Sequence, residues 1–129
     1  MRDRLWSHIA AAFPAATQNG DAAHRLANTL NVSFAGLGSE TMLMALDLEG
    51  VCASSGSACM VGSVVASHVL LAMGLPEALA SSAVRFSLGH ETTEEDIDRA
   101  GKIIARVLHR ITTASSTAGR QAELQGAAI

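Results

Sequence analysis

The chain has 129 residues, 49 % of them apolar and 16 % charged, with 9 basic against 12 acidic side chains. That is enough apolar material for one hydrophobic core and too little chain for two domains, which excludes a disordered polymer. A net charge of −3 supplies no basic stripe for nucleic acid and no polybasic membrane anchor. No apolar run reaches the roughly 18 residues of a membrane span, and Arg2, Asp3 and Arg4 open an N-terminus unlike a secretory signal. A cytoplasmic location with reduced thiols is therefore expected.

Leu5, Trp6, Ile9, Ala10 and Phe13 recur at helical spacing, predicting an amphipathic helix over residues 3–13 that Pro14 ends. Asn19-Gly20 signals a turn after a short extended piece. From Thr29 to Phe34 the alternation is strict: Leu30, Val32 and Phe34 face a core, and Thr29, Asn31 and Ser33 face solvent. Gly36 and Gly38 punctuate a loop, after which Ser39 is expected to cap a helix through Met42, Leu43 and Leu46, with Gly50 in the left-handed position beyond it. A brief strand, Val51 to Ala53, leads into a loop of small residues from Ser54 to Ser63. Ser67 to Met73 reads as a helix closed by Gly74, and Val84 to Leu88 as a second strand with Arg85 and Ser87 on its polar side. Thr92 and Glu95 match a capping box for a long last helix with the stripe Ile97, Ala100, Ile104, Val107, Leu108 and Ile111. Its acids sit early, while Arg106, His109 and Arg110 sit late, as the helix dipole favours. Residues 113–129 lack a sustained period and are expected to form a disordered tail, leaving 1–112 as the domain. The sum is an α+β fold: a small, mostly antiparallel sheet with helices packed on one face.

Cys59 is the sharpest candidate for chemistry. It lies on a glycine- and serine-rich loop shortly before a helix whose N-terminal amides favour a thiolate; the alternative is a small apolar residue packed at the base of the loop. Cys52, between Val51 and Ala53, is expected to be buried and structural. Arg85 projects from mid-strand, where its planar fork suits a carboxylate; a solvated or internally paired arginine is the other reading. His68, at the start of a helix, reads as a capping or packing residue, with a role in orienting or protonating as the alternative. His24, His90 and His109 show no metal-ligand spacing. The chain contains eight arginines but one lysine, Lys102. Any Schiff-base chemistry must use that residue or come from elsewhere.

Four segments in order carry a resemblance: RLANTLNVSF, then SSGSAC, then SHVLLAMGLP, then VRFSLG followed by TTEEDID. Together they resemble the C-terminal small domain of cysteine desulfurases of the NifS/IscS type, in the class V aminotransferase family of fold type I pyridoxal-phosphate enzymes. The resemblance covers residues 2–112. It implies an aminotransferase small-domain fold and conversion of L-cysteine to L-alanine, with the sulfur carried as a persulfide on Cys59 and delivered to an iron–sulfur scaffold or another acceptor. It also implies that Arg85 binds the substrate carboxylate and that the family enzyme is a homodimer. The family's pyridoxal-phosphate lysine, ring-stacking histidine and aspartate belong to a large N-terminal domain whose motifs are not found in this sequence. No cofactor site and no metal set is therefore expected in the chain itself, the persulfide alone meeting a nascent iron–sulfur cluster, and the isolated chain is expected to be inactive. Departures from the family pattern include Met60-Val61-Gly62-Ser63 after the cysteine, Val65-Ala66 before the SH pair, Ala27 for a usual proline and His90 for a common arginine. A non-catalytic partner-binding module, or an inactive gene fragment, is the alternative.

Overall fold

In the computed structural model, which describes residues 1–56 and 65–127, a three-stranded antiparallel sheet carries helices on its apolar face. The elements are α1 (Arg2–Ala12), β1 (Ala16–Gln18), β2 (Thr29–Phe34), α2 (Ser39–Leu48), α3 (His68–Ala72), α4 (Glu77–Ala80), β3 (Ala83–Ser87) and α5 (Glu94–Ala127). The central strand is β2, with β1 on one side (Ala16 opposite Phe34, Gln18 opposite Val32) and β3 on the other (Leu30 opposite Phe86, Asn31 opposite Arg85, Val32 opposite Val84).

The period-2 pattern does what it predicts on one face. Leu30, Val32, Phe34, Val84 and Phe86 are buried against Leu5 and Ile9 of α1, Met42 and Leu46 of α2, and Ile97, Ile104, Val107 and Leu108 of α5. Each such side chain withdrawn from water contributes about 1.5–3 kcal/mol before entropy is counted. The other face is more covered than expected. Ser33, predicted to be solvated, is fully buried, because α4 lies over that end of β2 and the Leu79 carbonyl accepts the Ser33 hydroxyl proton at 2.7 Å. A small second cluster of Ala66, Leu70, Ala80 and Ala83 seals the same end.

Several local expectations shift. No strand forms over Val51 to Ala53; Ser54 alone makes an isolated bridge to Arg85. The second strand begins one residue earlier than expected, at Ala83. Gly38, not Ser39, occupies the N-cap of α2, and no side chain caps that end. The capping box also sits one residue later. The Thr93 hydroxyl accepts from the Asp96 amide at 3.1 Å, and Asp96 Oδ2 accepts from the Thr93 amide at 3.0 Å. Thr92 instead accepts from the Gly89 amide. Gly50 and Gly74 adopt the left-handed conformation foreseen, with φ of +87° and +92°.

The disordered tail expected after Thr112 is instead helix, continuing α5 to Ala127, with side chains exposed through Gln125. Its threonines donate back to carbonyls four residues earlier, Thr112 to Leu108 at 2.7 Å and Thr113 to His109 at 2.8 Å, so their hydroxyls follow the helix rather than break it. Arg106 and Arg110 are consequently mid-helix; both bond Glu49 at the end of α2, at 3.0 and 3.3 Å, and the pair holds the Glu49 carboxyl below its ordinary range.

Helices α1 and α5 are fastened by a polar cluster. The Arg4 guanidinium forks onto Asp98 with two hydrogen bonds of 2.7 Å, and His8 Nε2 donates to Asp98 Oδ1 at 2.9 Å. The Arg4 hydrogen bonds, then that of His8, hold the Asp98 carboxyl far below the usual carboxylate range. The His8 ring packs onto Gly101, where an added Cβ would stand 2.5 Å from His8 Cγ.

Two outcomes follow from this joint. Because the folded value of Asp98 is depressed, its stabilisation is complete above an aspartate's ordinary pKa of about 4 and is lost as pH falls below it. Urea unfolding should therefore show a larger drop in midpoint on acidification for the wild-type chain than for D98N; parallel acid profiles would contradict the assignment. G101A should destabilise the chain by about 1 kcal/mol or more, since overpacking outweighs the roughly 1 kcal/mol gained by replacing a helical glycine. Adding H8A should restore stability, and a stabilised G101A single variant would refute the close contact.

Candidate functional site

The sheet's polar face presents Arg85 at its middle. Alternation along β3 buries Val84 and Phe86, which turns Arg85 to the opposite side, half-buried. Both backbone groups of Arg85 are used on one flank: its N–H donates to the Ser54 carbonyl at 2.6 Å, and its carbonyl accepts from the Ser54 N–H at 3.0 Å. Its partner on the other flank, Asn31, is therefore a non-hydrogen-bonded pair, the type in which opposing side chains stand closest. Ser54, Arg85 and Asn31 thus form a row across one face. Among the described residues, the Arg85 guanidinium has no hydrogen-bond or ion-pair partner. A rigidly mounted, unsatisfied guanidinium suits a carboxylate brought from outside.

The loop that follows Ser54 leaves from this row. Gly56 has a φ of +75°, and a Cβ there would lie 3.6 Å from that of Ser67, which caps α3 by accepting from the Leu70 amide. The stems on either side of residues 57–64 therefore meet beside Arg85. Cys59 itself falls in that segment, outside the described residues. His68, the first residue of α3, is exposed.

Cys52 departs from expectation. It is exposed rather than buried, because the chain between α2 and Ser54 pairs with no strand at that position. It lines a cavity of about 580 Å³ shared with Leu5, Phe86, Asp96, Ile97 and Arg99. Lys102 is exposed on α5, the helix packed against the apolar face, so the sheet separates it from Arg85. Among the described residues no three histidine, cysteine, aspartate or glutamate side chains converge as a metal site. None of the described helices is long and apolar enough to cross a membrane.

Sequence reasoning missed Asn31 and Ser54 as neighbours of Arg85, and Asn19 as the partner of Asn31. The signal was present in the strict alternation of residues 29–34, which places Asn31 on the same side as any polar residue of a paired strand.

The aminotransferase class-V family model matches residues 3–100. The chain belongs to the aminotransferase class-V family. Cysteine desulfurase 2 of Trichormus variabilis is 42 % identical over 98 % of this chain and 32 % of its own length. Cysteine desulfurase IscS of Clostridium botulinum is 43 % identical over 84 % of this chain and 28 % of its own length. Among solved structures, a NifS-like protein superposes with a TM-score of 0.70 at 30 % identity, covering 84 % of this chain and 26 % of the other. A NifS-like protein from Rickettsia africae, 24 % identical with a TM-score of 0.64, shares the fold. The α+β small-domain architecture inferred from the sequence is thus that of this family. This class-V chain spans about a third of the length of the curated relatives it matches.

The exposure of Cys52 is open to a simple check. In a C59S variant, Cys52 should react with a thiol reagent in the folded state within about tenfold of the unfolded rate. Protection of a hundredfold or more would place it back in the interior.

Proposed function

We propose that this chain is the sulfur-accepting part of a cysteine desulfurase, in which Arg85 grips the carboxylate of L-cysteine and Cys59 takes up its sulfur. The observation that carries this reading is the Arg85 guanidinium, without a partner among the described residues, beside the joined stems of the Cys59 loop. Two residues stand between Gly56 and Cys59, so three steps of chain reach at most about 11 Å at full extension.

The transformation balances without an outside oxidant. The carbon–sulfur bond of L-cysteine breaks, a sulfur–sulfur bond forms on Cys59, and the substrate carbon takes a proton to leave L-alanine; the thiol becomes a persulfide. In this family pyridoxal phosphate is the electron sink for such chemistry. The described residues do not fit that cofactor: the one lysine, Lys102, stands on the far side of the sheet from Arg85. The large domain must supply it, so the chain alone is inactive in this reading, and no step through the cofactor is derived. The persulfide is then passed to an iron–sulfur scaffold or another thiol acceptor in the cytoplasm, the enzyme acting as a homodimer. Residues 1–112 form the functional domain, and the helical extension beyond them is peripheral to the reaction. The second reading, a non-catalytic partner-binding module, draws on the exposed apolar side chains Val69 and Leu71 of α3 and Val65 and Met73 beside it.

Complementation separates the two. The chain is co-expressed with the portion of the Trichormus variabilis relative that it does not cover, and alanine formation from L-cysteine is measured. The wild-type chain should support turnover and C59S should not. R85A should raise KM by about ten- to a hundredfold, the range expected for losing a charge-assisted, bidentate contact. Equal alanine from C59S and wild type, or an unchanged KM in R85A, would overturn the assignment; alanine at background with a stable complex would favour the binding module.

A further inference from the structure

The polar face holds a chain of hydrogen bonds whose direction is fixed at one end. The Leu79 carbonyl has no proton to give, so its 2.7 Å contact with Ser33 Oγ consumes the single hydroxyl proton of Ser33. Ser33 Oγ must then accept from Asn19, 2.9 Å away, which turns the Asn19 amide nitrogen toward it. The same Nδ2 lies 2.7 Å from Asn31, so its second proton goes there, and Asn31 must present its oxygen. Both Asn19 and Ser33 are at least nine-tenths buried, so the relay is shielded from water. The outcome at the end of the chain is not a matter of choice: Asn31 Oδ1 is occupied, and its NH2 is left with two donors and no acceptor among the described residues. Those donors lie on the face that Asn31 shares with Arg85, its close cross-strand partner.

The geometry points to Asn31 as a second carboxylate-binding residue, its amide NH2 donating to the same substrate carboxylate that Arg85 grips. This rests on the reading of Arg85 given above and deepens it. The guanidinium supplies charge and a two-pronged fork. The Asn31 amide adds a neutral donor from a neighbouring strand, which fixes the tilt of the carboxylate. Leu79, Ser33 and Asn19 act only through Asn31: they are positioning groups that keep its donor end outward.

The test uses the 129-residue chain labelled with 15N, with L-alanine as an unreactive probe and L-alaninamide, which lacks the carboxylate, as control. Titration with L-alanine should move the Asn31 side-chain NH2 and the Arg85 Nε–H signals with one common dissociation constant, and alaninamide should move neither. In N31D the acceptor for Asn19 is kept while the outward donor becomes an anionic oxygen. Backbone signals of the sheet should stay in place, and L-alanine binding should weaken about tenfold or more. Movement of Arg85 without Asn31, or an unchanged dissociation constant in N31D, overturns the role of Asn31 and leaves Arg85 as the anchor. If neither signal moves, the reading of Arg85 fails and this inference fails with it.

Discussion

The antiparallel register between β2 and β3 governs everything else in this molecule. Side chains alternate across a sheet with period 2, so a slip of one residue would drive Arg85 into the core and expose Val84 and Phe86. The apolar set Leu30, Val32, Phe34, Val84 and Phe86 forbids that slip, since the misregistered sheet would bury a guanidinium unpaired. Hydrophobic packing on one face therefore fixes polar geometry on the other. The helices α1, α2 and α5 hold the register, and the row of Ser54, Arg85 and Asn31 lies outside all three.

This division of labour also explains what lies on which side. The fastening between α1 and α5 through Arg4, His8, Asp98 and Gly101 is distant from Arg85 and serves cohesion. Lys102 belongs to that side. The face proposed for function is built instead from short segments: one arginine, a bridge residue at Ser54, and an amide relay ending at Asn31. The chain spans about a third of the length of its curated relatives.

Much of this was legible in the sequence, for physical reasons that can be named. Both long strands followed from strict alternation, α1 and α5 from apolar stripes at helical spacing, and Arg85 from its place between Val84 and Phe86. Features set by tertiary contact were not legible. Ser33 looks like a solvated position until α4 is laid over it, and Cys52 looks like a strand residue until its segment finds no partner. The capping box was misplaced by one because Thr92/Glu95 and Thr93/Asp96 satisfy the same spacing; the reciprocal Thr93–Asp96 hydrogen bonds, with Thr92 taken by the Gly89 amide, decide between them. The last helix was ended too early because its exposed extension has no apolar stripe to mark it. Cys59, singled out by its loop and by the family motif, lies outside the described residues.

The central claim is that a guanidinium held by strand register presents a substrate to a thiol on the adjoining loop. Peptide mass spectrometry of the complemented enzyme after a single exposure to L-cysteine addresses it most directly. The account predicts one added sulfur atom on the Cys59 peptide, removable by reductant and strongly diminished when Arg85 is replaced by alanine. A persulfide found on Cys52 instead, or on Cys59 to the same extent without Arg85, would contradict it.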